Sequence, residues 1–385
     1  MVEHIDRSEY FGTIVYDIKK NEIKITPCKI CLTDKKNQNS NYLSAPINVF
    51  LELTNKCDLN CRHCFNEKIR DEKLLPIETW KRIVDQLVDM KVFFVKITGG
   101  DPFLYPQLFE LLHYLDSKQL NYIIYTNGLN IINNIKEIKD LKHLLTLRVS
   151  LEGTEANNDY IRGKGNFNKV ISALKILEKN EINYSVNYTI NKKNYMALPE
   201  LEKYIIDICK LNTTIHLGFI KYAGSSLKNT ELCFKDDECY REALDFIDKF
   251  LKISRIVEPL YMLPEYYYTV CGSHFGCPAG QLSMVIRYNG DVIPCGLMGG
   301  YEIAQCGNAC TDKLIDIWTG ERMNFFRCLK CPERCKDCVE FMRNCTGGCR
   351  ANALNLFGNI TCNDVNCNIY TTKFARKNRV ITVKH

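Results

Sequence analysis

No run of 18 apolar residues occurs anywhere in the chain, so it holds no segment written as a membrane-spanning helix. Met1 to Tyr10 is acidic and polar, where a secretory signal would be basic and then apolar. No block of one charge sign stands out either. The formal charge of +6, from 51 basic and 45 acidic residues, is spread along the chain, so nucleic acid is not an expected partner. Internal repeats and long low-complexity tracts are also absent. These absences predict a cytoplasmic protein with no membrane partner. At 385 residues and 46% hydrophobic content, the chain can bury one large core and a smaller one without covalent staples.

What the chain has in quantity is cysteine, 21 residues of it. In a reducing compartment thiols at short spacings suit metals better than disulfides, and the number is odd. A secreted disulfide scaffold would be a short chain with a signal peptide.

From Ile47 onward, short β-branched or aromatic runs alternate with stretches whose apolar residues fall at helical spacing. Strands are expected at Asn48 to Leu53, Phe93 to Thr98, Tyr122 to Thr126, Leu145 to Leu151, Tyr184 to Ile190 and Thr214 to Ile220. Between them, Ile77, Trp80, Ile83, Val84, Leu87 and Val88, and then Leu108, Leu111, Leu112 and Leu115, each space one buried helix face. Such βα units give an α/β protein with parallel strands covered by helices, and chemistry gathers at the strand C-termini. Thirteen cysteines then gather between Cys271 and Cys367 among glycines and short loops, where a metal-organised domain begins after about residue 255. Residues 1 to 45 hold one expected strand pair, Gly12 to Ile18 and Glu22 to Ile25, followed by Cys28, Cys31 and an Asn/Lys/Ser-rich linker; no function attaches to them.

The first strand runs into Thr54-Asn55-Lys56-Cys57-Asp58-Leu59-Asn60-Cys61-Arg62-His63-Cys64, a CxxxCxxC loop. Three thiolates on one loop can hold three irons of a cubane, which leaves the fourth iron for an outside ligand. In a chain this rich in cysteine, chance supplies the spacing with a probability of roughly 0.06, so context decides. The loop follows a strand and precedes a helix beginning near Pro76.

In that context the loop resembles the signature of radical S-adenosylmethionine (radical SAM) enzymes. Their partial (β/α)6 barrel binds S-adenosylmethionine on the unique iron of a 4Fe-4S cluster, and reductive cleavage yields a 5'-deoxyadenosyl radical. The resemblance implies that Cys57, Cys61 and Cys64 are the catalytic cluster ligands, and that His63 or Phe65 packs by the adenine. Thr98-Gly99-Gly100-Asp101-Pro102 resembles the GGEP motif that holds the cofactor ammonium, with Asp101 one methylene shorter than the usual Glu. Tyr125-Thr126-Asn127-Gly128 resembles the TNG strand end. Ser150-Leu151-Glu152-Gly153 resembles SLDG, whose Ser reaches the cofactor, and Arg162-Gly163 resembles an RG motif whose Arg162 pairs with the cofactor carboxylate. Gly99, Gly100, Asn127, Ser150 and Glu152 are therefore expected to bind cofactor with these residues. Taken one at a time, each of these pieces is more often a turn or an ordinary strand residue.

The C-terminal cysteines resemble a SPASM domain, giving a three-part chain: an extension at 1–45, the barrel at 46–255 and a SPASM-like region at 256–385. The resemblance implies two auxiliary 4Fe-4S clusters, three in all, held by Cys271, Cys277, Cys295 and Cys349 and by Cys335, Cys338, Cys345 and Cys367; Cys362 competes for the last place. Full protein ligation suits electron transfer or structure rather than substrate binding. Structural zinc is the alternative for thiols at this density. Cys28, Cys31, Cys306, Cys310, Cys328 and Cys331 have no assigned role, while Cys209, Cys233 and Cys239 read as core.

Such enzymes largely modify peptides or proteins, so the expected activity is maturation of a ribosomally made peptide, supplied with electrons by a flavodoxin or ferredoxin. Maturation of a haem- or quinone-type precursor is the alternative, with sulfatase maturation or a non-enzymatic electron carrier behind it. In sulfatase-maturing members an Asp follows the cysteine that matches Cys295; here it is Gly296, which leaves Asp291, Glu265 or Tyr266 to Tyr268 as candidate bases. The short N-terminal segment implies that a leader peptide would be bound by a separate protein or by the SPASM face.

Overall fold

The computed structural model describes residues 3–27, 42–66, 74–208, 213–234, 237–259, 276–339, 341 and 345–366. Cys28, Cys31, Cys209, Glu265, Tyr266 to Tyr268, Cys271 and Cys367 lie outside the described residues.

Strand formation follows the alternation of the sequence. The chain opens with β1 (His4–Glu9), β2 (Gly12–Asp17) and β3 (Glu22–Pro27). Six further strands, β4 (Asn48–Glu52), β5 (Phe94–Thr98), β6 (Asn121–Thr126), β7 (Leu144–Ser150), β8 (Tyr184–Ile190) and β9 (Ile215–Phe219), pair in parallel, each with the next. All six expected strands are therefore found, each bounded within a residue of its expected ends. Connecting them are α1 (Ile77–Asp89), α2 (Leu108–Ser117), α3 (Ile135–Lys139), α4 (Glu155–Arg162), α5 (Asn166–Lys179) and α6 (Leu198–Ile208), with α7 (Asp237–Leu251) following β9. Ile77, Trp80, Ile83, Val84 and Leu87 of α1, and the four leucines of α2, are buried against the sheet.

The sheet extends beyond these strands on both sides. β10 (Val257–Pro259) adds in parallel to β9, and β11 (Ser283–Ile286) adds in parallel to β4. β12 (Asp291–Ile293) and β13 (Gly307–Asn308) continue from β11 as an antiparallel meander. The result is one open, ten-stranded sheet, a partial barrel that does not close. The cysteine-rich region is thus not a separate body: its first strand is hydrogen-bonded into the barrel, and the expected boundary at 255 falls just before a barrel strand. α8 (Leu314–Thr319), α9 (Glu321–Arg327) and α10 (Arg350–Phe357) follow. Trp318 on α8 is fully buried and donates from Nε1 to the Leu43 carbonyl at 2.7 Å, which ties this region to the segment leading into β4.

The N-terminal segment holds three antiparallel strands rather than one pair. β1, sequence HIDRSE, shows too little alternation to be read locally. Its Arg7 is buried, pairs with Glu9 at 2.7 Å, donates to the Pro46 carbonyl at 2.9 Å and lies 4.9 Å from the Phe93 ring centroid. On β2, Tyr16 stacks on Phe93 at 5.1 Å and its hydroxyl accepts from Asn121 Nδ2 at 2.8 Å. This small sheet seals against the strand N-termini of the barrel, the end opposite the CxxxCxxC loop.

Candidate active site

The cysteine loop is held from below by two crossing chain segments. After β4, Thr54 and Asn55 are buried; the Gly100 amide donates to the Thr54 carbonyl at 2.7 Å, and the Asp101 amide to that of Lys56 at 2.8 Å. A Cβ on Gly100 would stand 2.0 Å from the Lys56 carbonyl oxygen, so only glycine permits this approach. Gly100→Ala is expected to destabilise the protein by about 1–3 kcal/mol and to lower the iron it retains. An unchanged unfolding midpoint with full iron content would contradict the close approach. Farther on, the Arg62 amide donates to the Ile161 carbonyl at 2.9 Å and the Ser225 amide to that of Cys64 at 2.8 Å.

Asp101 is fully buried, and both of its carboxylate oxygens accept from the protein. It accepts from the Phe103 amide at 3.0 Å, the Thr126 hydroxyl at 2.8 Å and the Asn127 amide at 2.8 Å. Burial pushes its pKa up to about 6 against those donors. The shorter acid therefore staples the ends of β5 and β6 together. Asn127 carries the connection onward, with Nδ2 donating to Asp58 Oδ1 at 2.5 Å and lying 3.8 Å from Cys57 Sγ.

Across the mouth, Glu152 is fully buried, with Oε1 2.5 Å from Arg162 Nη2 and 3.2 Å from His63 Nε2, while Oε2 accepts from the Thr189 amide at 2.8 Å. Burial would raise its pKa, but the Arg162 guanidinium and the His63 imidazole overcome that and hold it near 2. Arg162 Nη1 is 3.7 Å from Cys61 Sγ, so a cation faces a thiol that a metal would take as thiolate. Arg162 thus spends its charge on Glu152 and Cys61, and His63 gives one ring nitrogen to Glu152. Ser150 ends β7, half-buried, and Phe65 is 42% exposed at the mouth.

In the C-terminal region the thiols of Cys277, Cys295 and Cys349 converge. Burial raises the pKa of all three; Cys349 raises Cys277 further, and Cys277 and Cys349 raise Cys295. Cys335, Cys345 and Cys331 lie around Arg350 together with Cys277. Cys331, which has no role in the sequence motif, is thus brought to this centre. The Cys338 amide donates to the Cys335 carbonyl at 3.2 Å, and Cys362 is half-buried beside Asn359. Asp364 accepts from the Cys349 amide at 2.6 Å. Cys233 is buried in the core and Cys239 packs against it. Cys306 is also buried, and Cys310 and Cys328 are exposed. Every cysteine among the described residues is a free thiol, and among those residues no three Cys, His, Asp or Glu groups close up as a single ion requires.

Two acidic residues change standing in the structure. Asp291 accepts from Gln305 and Asn308 on Oδ1 and from Asn289 on Oδ2, so it organises its own loop. Glu52, which the sequence did not single out, is buried at the end of β4; its Oε2 accepts from Arg287 Nε at 3.2 Å, a pair joining β4 to the residue after β11. Burial raises the Glu52 pKa despite Arg287. Its Oε1 lies 3.0 Å from where a Cβ on Gly296 would sit, and Phe65 lies 3.7 Å from the same point. The glycine after Cys295 therefore leaves room for a carboxylate from the barrel.

Residues 51–211 match the family model of the radical SAM superfamily. The chain carries a radical SAM domain. Residues 277–339 match the SPASM model, an iron-sulfur cluster-binding domain. Mycofactocin maturase MftC of Mycolicibacterium smegmatis is 26% identical over 326 residues, covering 80% of this chain and 79% of that one. PqqA peptide cyclase of Gluconobacter oxydans is 25% identical over 335 residues, covering 85% and 91%. The fold is that of Streptococcus suis SuiB, solved with S-adenosylmethionine, at a TM-score of 0.75 and 19% identity over 94% of this chain and 98% of that one. Among the described residues, no helix is long and apolar enough to cross a membrane.

The residues at the mouth fit such a cofactor. Three thiols share one loop, a guanidinium faces one of them, and two buried nitrogens beside them, His63 Nδ1 and Arg162 Nε, have no protein partner.

Proposed function

We propose that this radical SAM enzyme modifies a ribosomally made peptide. Cys57, Cys61 and Cys64 hold the cluster that binds S-adenosylmethionine, and when bound the pair supplies a carbon radical able to take hydrogen from an unactivated C–H bond. The observation that carries the reading is the CxxxCxxC loop at the C-terminal mouth of the open barrel, laced to Gly100 and Asp101 and faced by Arg162. The peptide substrate follows from the similarity to mycofactocin maturase and PqqA peptide cyclase.

The protein's own groups have distinct tasks in this reading. Asp101 and Asn127 hold the loops at the mouth in register; Glu152 balances Arg162, and Arg162 favours the thiolate of Cys61. Gly99, Ser150, His63 and Phe65 line the cofactor. Cys271, Cys277, Cys295 and Cys349 hold one auxiliary 4Fe-4S cluster; Cys335, Cys338, Cys345 and Cys367 hold the second, with Cys362 the rival for its last place. A flavodoxin or ferredoxin supplies electrons, a separate protein or the SPASM face binds any leader, and such thiol-rich chemistry suits a reducing cytoplasm.

Anaerobic reconstitution followed by dithionite and S-adenosylmethionine tests the reading. Formation of 5'-deoxyadenosine is expected, and a mass loss in a short precursor peptide added to the same mixture. No 5'-deoxyadenosine, with the cluster intact by spectroscopy and the peptide present, would overturn it.

A further inference from the structure

The turn Cys345-Thr346-Gly347-Gly348-Cys349 leads into α10, whose first residue is Arg350. Gly347 and Gly348 stand at φ of 91° and 82°, where other residues are rarely found, and they bend the chain so that Arg350 returns beside Thr346. Arg350 is 4% exposed, and its Nη2 donates to the carbonyls of Lys330 and Thr346, each at 3.2 Å. The Thr346 hydroxyl oxygen in turn accepts from the Cys277 amide at 3.0 Å. One residue therefore joins three thiol-bearing pieces of chain. Thr346 follows Cys345, holds Cys277 through its side chain, and holds Arg350, the neighbour of Cys349, through its carbonyl.

The guanidinium at this seam is incompletely satisfied. Its Nη1 is buried and has no hydrogen-bond partner among the described residues. No carboxylate pairs with it there either: Asp364 accepts from the Cys349 amide at 2.6 Å and from Asn352 Nδ2 at 3.0 Å. The ionisable neighbours of Arg350 are instead the thiols of Cys277, Cys331, Cys335 and Cys345. A buried charged donor is costly unless something accepts from it, because nothing replaces its lost hydration. Neutral thiols accept weakly. The sulfurs of an iron-sulfur cluster carry negative charge and accept hydrogen bonds well, so an orphaned N–H among these cysteines fits a bound cluster. The neighbours also come from both expected ligand sets, Cys277 from the first and Cys335 and Cys345 from the second.

We propose that Arg350 is a shared cation of the two auxiliary clusters, its free Nη1 donating to cluster sulfur at the seam between the two sets of cysteines and raising the reduction potential of both. This rests on the reading of those cysteines as the ligands of two clusters. The sign follows from charge. Reduction adds an electron to a buried anionic centre, so a guanidinium beside it and a hydrogen bond to its sulfur both stabilise the reduced form more than the oxidised one. The position also implies selectivity. The cysteine loop at the barrel mouth has its own cation, Arg162 Nη1 at 3.7 Å from Cys61 Sγ, and its cluster is not expected to respond to Arg350.

Redox titration of the anaerobically reconstituted full chain, followed by electron paramagnetic resonance, tests this. Replacing Cys57, Cys61 and Cys64 with alanine leaves only the auxiliary signals to be read. In that background Arg350→Met is expected to move both auxiliary midpoints to lower potential. Arg350→Lys, which keeps the charge and loses the planar fork, is expected to move them less. With the cysteine loop intact, the midpoint of its own cluster is expected to stay unchanged in both variants. Unmoved auxiliary midpoints with full auxiliary iron would overturn the role, and a shift confined to one cluster would overturn the sharing. If both variants lose auxiliary iron, the unsubstituted Arg350 decides: with nitrogen-15 in the arginine side chains, spin-echo spectra of the reduced auxiliary clusters are expected to show a nitrogen coupling, and its absence would overturn the hydrogen bond. Iron analysis keeps the two readings apart. A triple-alanine protein that holds no iron sinks the auxiliary clusters themselves, whereas iron present with unmoved midpoints sinks only the part assigned to Arg350.

Discussion

Cys61→Ala is expected to lower 5'-deoxyadenosine formation at least about 10³-fold, the scale on which removing one member of a catalytic unit acts. The thiol is buried, 3.7 Å from Arg162 Nη1, on a loop that the Ile161 carbonyl and the Ser225 amide hold on either side. No other cysteine among the described residues is placed on that loop except Cys57 and Cys64, so no neighbour can substitute. The loop itself is held by Gly100, Asp101 and Asn127 rather than by Cys61, so the chain should fold. Iron and sulfide are expected to fall by one cluster while the auxiliary signals persist. A variant that loses one cluster's worth of iron and still forms 5'-deoxyadenosine at the wild-type rate would mean that the loop does not hold the reactive centre.

Glu152→Gln is expected to destabilise the protein by about 3–5 kcal/mol at neutral pH, the usual cost of breaking a buried ion pair from one side. Arg162 would remain buried with no carboxylate, and the one amide oxygen left by Gln could serve either Arg162 and His63 or the Thr189 amide, not both. The pH dependence has a definite sign. The folded-state pKa is near 2, below the ordinary value of 4.5, so the stabilisation is fully present above about pH 4.5 and is lost as the pH falls toward 2. The gap between wild type and Glu152→Gln, measured by urea unfolding, should therefore be widest near pH 7 and shrink at pH 3. Adding Arg162→Met to Glu152→Gln should recover part of the loss, since an apolar replacement removes the stranded charge. A gap that stays constant from pH 7 to pH 3 would mean that Glu152 contributes through packing rather than charge.

The local features were readable because they depend on neighbours in sequence. The alternation in Tyr184–Ile190 and the helical spacing of Trp80, Ile83, Val84 and Leu87 describe surfaces that must be covered whatever covers them. Cysteine spacing likewise marks a loop that can hold a cluster, because three thiolates within eight residues must share one turn of chain. β1 was not readable: its polar HIDRSE run is a strand through its antiparallel pairing with β2, with Arg7 buried against Pro46 and Phe93, and neither partner is marked in the local sequence. Nor was the docking of β11 onto β4, since a short apolar run carries no mark of a partner more than two hundred residues earlier.

By itself the sequence determined the parallel βα core, the position of the cysteine loop after β4, and the presence of a second cysteine-rich region, all properties set by periodicity and spacing along one chain. Only the tertiary structure decided which way polar groups turn. It directs Asp101 inward onto Thr126 and Asn127, joins Glu52 to Arg287 across the two regions, and gathers Cys277, Cys295 and Cys349. The physical reason is that charge and hydrogen-bond partners are chosen in three dimensions. A buried polar group takes whichever neighbour the fold brings within about 3 Å, and sequence distance has no bearing on that choice.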